Sequence, residues 1–314
     1  MRLGFPIKVY GRSNLRSHDG RRWQNNPHLS VSLAYVRDLF LYLDAQNIRM
    51  YRLSADLAPY VAHPNLPQFH HQIDECRREL EAVGALAREL GIRLSFHAGA
   101  HVLLNTPEPR RLARAQATLQ ALTSLLDAMG LDDEAVVVLH VGGHYHDRGE
   151  ALALFARRFE ALPAAVRARL ALEHDDRRFG VEDCLWLHRQ VGVRVVFDLL
   201  HHQLYNPTGI DEVEALQRCL ATWPPQQTPK IHVSTPATEM VRDRQGRPHP
   251  PRLNRHSHYV NPFPVIAFLR RLPEWCNFDM MLEAKACDLA VIQFRRHLAA
   301  FAPDLVARFQ ICPA

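Results

Sequence analysis

The sequence predicts an α/β fold, a single TIM (β/α)8 barrel domain over residues 1–314, and three observations carry that expectation. Eight short apolar runs alternate with helical stretches from one end of the chain to the other, without a tandem break. The 314 residues match the ~250 typical of such a barrel plus loops. Polar residues gather at the C-terminal ends of the runs, which is where barrels keep their active sites. A doubly wound open sheet is the competing arrangement, but no Gly-x-Gly-x-x-Gly phosphate loop follows the first run.

In chain order, the first strand is expected at 3–5, followed by a loop at 11–27 rich in arginine and asparagine and a helix at about 30–45. The second run, 48–53, leads through His63-Pro64 to a helix at about 69–90 that Gly91 closes. The third ends at His97 and precedes an amphipathic helix at 107–129, with Gly130 after it. The fourth, 135–141, runs into Gly142-Gly143, where missing side chains allow a tight turn beside a ligand. A helix at about 150–162, a strand ending at Glu173, a helix at about 181–190 and a strand ending at Asp198 follow. A helix at about 211–222 precedes the strand 230–233, and a loop rich in proline and arginine runs over 235–255. A short helix near 264–271, the eighth strand at 278–283 and a helix at 288–300 complete the expected fold.

Composition narrows the class. A 47% hydrophobic content is enough for a large core, and no apolar run approaches the ~20 residues that span a bilayer. The opening residues lack the regions of a signal peptide, so a soluble cytoplasmic protein is expected. The six cysteines are widely spaced without a Cys-x-x-Cys pair, which points to neither a zinc ribbon nor a disulfide framework. The formal charge of +5 suits a polyanionic partner without demanding one. Positive charge is almost all arginine: Lys8, Lys230 and Lys285 are the only lysines, and two of them sit at strand ends.

The histidines are the sharper signal. Taken singly, a histidine is more often a satisfied core or capping residue than a ligand. Here His97, His140, Glu173, Asp198, His232 and Glu283 stand at the same end of successive strands, and closing the barrel brings them to one axis. In a strand, residues two apart share a face, so Lys230 points the same way as His232. Loop residues His63, His201 and His256 are within reach of the same mouth. Several carboxylates in one low-dielectric site require cations. Histidine and carboxylate without thiolate suits Mn²⁺, Zn²⁺ or Fe²⁺, and nine side chains exceed what one ion uses, so two or three divalent ions are expected. Clustered ions of this kind suit metal-assisted phosphodiester hydrolysis.

These residues also lie in motifs that resemble the UV damage endonucleases, relatives of endonuclease IV. The matching segments are Arg2-Leu3-Gly4-Phe5-Pro6, Tyr51-Arg52-Leu53-Ser54, His63-Pro64, His140-Val141-Gly142-Gly143 and Leu172-Glu173-His174-Asp175-Asp176. They continue with Phe197-Asp198-Leu199-Leu200-His201-His202, Lys230-Ile231-His232-Val233-Ser234, Arg255-His256-Ser257-His258 and Glu283-Ala284-Lys285. The resemblance implies a TIM barrel with a manganese cluster that nicks damaged double-stranded DNA on the 5′ side of UV photoproducts. By motif it implies metal ligands at His63, His97, His140, Glu173, Asp198, His201, His232, His256 and Glu283. It gives catalytic roles to Glu173, to Lys230, matching a lysine that can be carboxylated beside the metals, and to Lys285, matching one that contacts phosphate. Phe5, His101, Arg252 and Arg255 are the expected DNA contacts, with no obligate protein partner.

The chain departs from the family in three places. His97-Ala98-Gly99-Ala100-His101 replaces a His-Pro-Gly-Gln followed by an aromatic, removing the pair that probes the duplex opposite the lesion. Phe5 replaces a usual tyrosine and His174 a usual asparagine. The chemistry is therefore expected intact and the recognition altered. Competing readings are a sugar isomerase or epimerase, a multinuclear iron oxidase, and a DNA-binding relative without turnover.

Overall fold

The computed structural model describes residues 1–145 and 147–312. Eight parallel strands close into a barrel: β1 (Leu3–Pro6), β2 (Met50–Arg52), β3 (Arg93–His97), β4 (Val137–His140), β5 (Leu170–Glu173), β6 (Arg194–Asp198), β7 (Lys230–Val233) and, after a small hairpin of β8 (Val241–Arg242) with β9 (Pro248–His249), β10 (Asp279–Leu282). Consecutive barrel strands pair, and β10 closes the ring on β1. The fold is thus the α/β barrel that the alternating runs predict.

Register turns sequence position into height along the axis. His140 lies opposite Glu173, and Asp198 opposite His232, so strand-end residues arrive at one level. One layer down, Lys230 donates to Ser95 Oγ across the barrel at 2.9 Å. At the floor Arg93 pairs with Asp279 at 2.8 Å, and Trp223 lies within 6 Å of the guanidinium carbons of Arg93 and Arg194. Val136, Val138, Ala171, Val196 and Trp223 form an apolar cluster of their own, separate from the large core that includes strand and helix residues. Inward side chains below the mouth therefore leave no open pore.

Most helices fall where periodicity places them, including Leu29–Ala45, Pro109–Ala128 and Val181–Val191. Gly91 and Gly130 take the left-handed backbone expected of helix terminators, at φ 62° and 61°. The expected helix at 69–90 is instead broken into Pro67–Phe69, Gln72–Glu75 and Arg77–Glu89. Buried Gln72 explains part of this: its amide donates to the carbonyls of Pro59 and Phe69 and accepts from Leu29 N, tying the segment to loop and helix. Three short helices had no periodic signal, Ala164–Arg169, Leu199–Leu204 and Pro303–Phe309, so the chain continues past the helix expected to be last.

Gly84 marks a close approach between its helix and the backbone at Met129. A Cβ there would sit 1.8 Å from the Met129 carbonyl oxygen, a backbone atom that cannot swing away. Gly84→Ala is expected to destabilise the fold by about 1–3 kcal/mol or more through overpacking. Denaturant unfolding would check this, and a variant as stable as the parent would show that the two helices can separate freely.

Candidate metal centre at the barrel mouth

Glu173, fully buried at the end of β5, is the hub. One oxygen meets His97 Nε2 at 2.8 Å and the other lies 3.1 Å from His232 Nδ1 and 3.2 Å from His201 Nδ1. His140 Nε2 is 3.9 Å away. His232 Nδ1 also lies 3.3 Å from Glu283, which pairs with the partly buried Arg52. His256 Nδ1 approaches Glu283 at 3.9 Å. Ligand atoms of His97, His140 and Glu173 lie within 4.8 Å of one another, and so do those of Glu173, Asp198, His232 and Glu283.

Local structure aims these groups. The Nδ1 atoms of His97, His140 and His201 each donate to a backbone carbonyl, of Ala98, Glu173 and His174 respectively, at 2.8, 3.2 and 3.0 Å. Anchoring one ring nitrogen in this way orients the other, as metal-binding histidines require. Asp198 ends β6 and caps the helix Leu199–Leu204, one oxygen accepting His201 N–H at 2.8 Å. Among the described residues its other oxygen is buried without a hydrogen-bond partner, as are Glu173 Oε1 and both ring nitrogens of His232. Leaving such groups unpaired costs about 1–3 kcal/mol each, so orphaned acceptors converging on one point fit bound cations. The donor set of imidazole and carboxylate suits a borderline divalent ion.

Electrostatics point the same way. Burial raises the pKa of Asp198, and the neighbouring Glu173 and Glu283 add to the rise against the pull of His201. Burial opposes the charged form of His201, but Asp198 and Glu173 outweigh it and raise its pKa. Burial lowers that of His232 despite the carboxylates beside it. Burial likewise pushes the Lys230 amine well below the usual lysine range, with Arg52 and Arg93 adding to it.

The expected residues divide into those the structure brings together and those it does not. His97, His140, Glu173, Asp198, His201, His232, Glu283 and, at the edge, His256 share the mouth. His63 makes none of these contacts among the described residues; its Nδ1 accepts Asn65 N–H, and it lines a rim cavity of about 440 Å³ with the exposed His101. Lys230 is buried one layer below the ligands, while Lys285 is exposed and lines a cavity of about 740 Å³ with Arg52 and Lys8. Arg252 and Arg255 are exposed on the loop after β7 and form no ion pair among the described residues.

Phe5 is a correction. Expected to touch DNA, it is instead fully buried in the main core with its ring edge-on to Tyr51, centroids 5.4 Å apart. The alternation of a strand sends every second side chain away from the barrel axis, and Phe5 belongs to that set. Arg52 is the residue sequence reasoning undervalued: a cation at the end of β2, in the phase that faces the mouth, was the available signal.

Comparison with known proteins identifies a family. Residues 25–307 match the family described as UV-endonuclease UvdE. A UV DNA damage endonuclease of Bacillus velezensis is 31% identical over 82% of this chain and 78% of its own. That of Halalkalibacterium halodurans is 32% identical over 82% and 77%. Among solved structures, SacUVDE superposes with a TM-score of 0.82 at 26% identity, covering 96% of this chain and 98% of its own. A D-psicose 3-epimerase from Clostridium cellulolyticum, at 12% identity and a TM-score of 0.55 over 90% of this chain and 85% of its own, shares the barrel fold.

Proposed function

The chain belongs to the UV-endonuclease UvdE family, and from that premise we propose that it is a metal-dependent DNA repair endonuclease hydrolysing a phosphodiester 5′ to a lesion in duplex DNA. The observation that carries the metal dependence is the convergence of orphaned, buried ligand atoms on Glu173. Seven side chains, His97, His140, Glu173, Asp198, His201, His232 and Glu283, would hold two or three ions, with His256 at the edge and His63 joining if its loop closes. Manganese is the ion the family resemblance favours, with zinc and iron as the alternatives. Bound there, divalent ions supply a water nucleophile at neutral pH and offset charge on the phosphoryl oxygens.

The chain's own residues prepare that chemistry. Burial works against the charged forms of Glu173 and Glu283, but their surroundings outweigh it and lower both pKa values: chiefly the Arg52 guanidinium for Glu283, and the ring of imidazoles for Glu173. Lys285, exposed two residues beyond Glu283, is placed to contact a phosphate. Lys230 is too deep to reach one as a free amine. Burial favours its uncharged amine, the form that takes up carbon dioxide, and as a carbamate it would add an anion facing the ligands. Protein equilibrated with ¹³C-bicarbonate would show a carbamate carbon resonance that Lys230→Arg lacks; identical spectra would leave Lys230 as a hydrogen-bonded amine only.

Elemental analysis of purified protein, with incision assays on a cyclobutane dimer, an abasic site and undamaged duplex, tests the main reading. Two or more equivalents of a divalent ion, and incision lost on chelation and restored by metal, are expected. Full incision after exhaustive metal removal would overturn it. Arg252 and Arg255 enter as phosphate contacts: Arg255→Ala should weaken DNA binding about equally for all sequences and lower the salt slope by about 1. An unchanged slope would make that arginine a solvated surface group.

A further inference from the structure

Two of the candidate ligands are held from behind by a residue outside the cluster. His174 follows Glu173 and is fully buried. Its Nε2 accepts the Asp198 backbone N–H at 3.0 Å, and its carbonyl accepts His201 Nδ1–H at 3.0 Å. A ring nitrogen that accepts a hydrogen bond carries no proton, so the neutral imidazole of His174 is protonated on Nδ1. Neighbouring His202 has the opposite arrangement, because its Nε2 donates to the Ile210 carbonyl at 3.1 Å and leaves Nδ1 as an acceptor.

Both Nδ1 atoms are buried without a partner among the described residues, and the rings stand edge-on with centroids 6.3 Å apart. The pair thus holds one spare donor and one spare acceptor. Both rings also pack on Phe197, at 5.6 and 5.5 Å, which limits their freedom to turn. The consequence reaches the metal side. Asp198 has one oxygen committed to capping and one orphaned, and the peptide that His174 grips sets where that free oxygen lies. His201 is gripped by the same residue, so one side chain and one carbonyl fix two neighbouring ligands.

We propose that His174 is a positioning residue for the metal centre: in its Nδ1–H tautomer it holds Asp198 through Nε2 and His201 through its carbonyl, with His202 behind it. The proposal rests on the metal-dependent reading above. It makes Gln the conservative exchange, since its amide oxygen reaches the position of Nε2 and can accept the same N–H, whereas Leu cannot. Loss of such outer contacts typically costs 10–100-fold in metal affinity.

Two measurements decide it. Long-range ¹H–¹⁵N correlation on metal-free protein labelled at histidine nitrogen should show His174 protonated at Nδ1; an Nε2–H tautomer overturns the proposal. Competition with a chromophoric chelator should find Mn²⁺ held about 10–100-fold more weakly by His174→Leu and close to the parent level by His174→Gln. Parent-level affinity in a folded His174→Leu variant overturns the proposal. If that variant fails to fold, the tautomer and His174→Gln still decide, because a tenfold or greater loss in a folded His174→Gln rules out the acceptor role. Failure of the metal-dependent reading looks different: the parent protein itself would take up no divalent ion.

Discussion

Glu173→Gln is expected to lose at least one metal ion and nearly all incision activity while the barrel remains folded. Glu173 is the shared member of both candidate ligand groups, one oxygen facing His97 and the other facing His201 and His232. An amide keeps the shape but replaces one acceptor oxygen with a donor and removes the charge. Its NH2 would then face ring nitrogens or a cation. Taking one partner out of a buried charge centre costs about 3–5 kcal/mol, roughly 10²–10⁴-fold if it appears at the transition state. The fold should tolerate the change because barrel pairing of β5 is made by the backbone with β4 and β6. Elemental analysis, circular dichroism and incision rate, taken together, check this. A full complement of metal with unchanged activity would show that Glu173 is not the hub, and loss of the folded spectrum would show that it acts through stability.

Why the mouth was readable from sequence and its surroundings were not follows from how a barrel is built. Strand ends such as Val195-Val196-Phe197-Asp198 announce themselves, because an apolar run that stops at a charged residue has a direction and an end. Parallel register then does the rest, bringing Asp198 level with His232. Helices were readable where periodicity persisted for several turns, as in Pro109–Ala128, but not in six-residue pieces such as Leu199–Leu204. Even there, Asp198 before an apolar pair carried a capping signal. Loop residues were the hardest. His63 was placed by motif, but a loop's path depends on its own hydrogen bonds, and its contacts are with Asn65, His70 and Tyr60 instead. Phe5 differs for another reason: phenylalanine in place of a tyrosine is visible in the sequence, but the strand phase that buries the ring depends on how the barrel closes.

Incision of an abasic site or a nicked duplex is expected to exceed incision of a cyclobutane dimer in otherwise intact DNA. Selecting a dimer in continuous duplex requires unstacking bases, at a few kcal/mol, and a side chain that enters the gap to offset the cost. The segment after β3 presents Ala100 and His101, both exposed on the mouth side, and a methyl group cannot fill a base stack. His101 lines the rim cavity and can stack on a base but not reach between two. Already distorted substrates need less deformation energy, so each ~1.4 kcal/mol of unstacking left uncompensated is roughly tenfold in relative rate. The expected preference is about tenfold to several hundredfold at one fixed salt concentration, since phosphate contacts make absolute affinities salt-dependent. Ala100→Gln, which restores a side chain long enough to enter the stack, should raise dimer incision relative to abasic incision. A parent protein that already prefers the dimer strongly would place the probe on another loop, and an Ala100→Gln variant with an unchanged ratio would show that the segment after β3 does not set lesion choice in this chain.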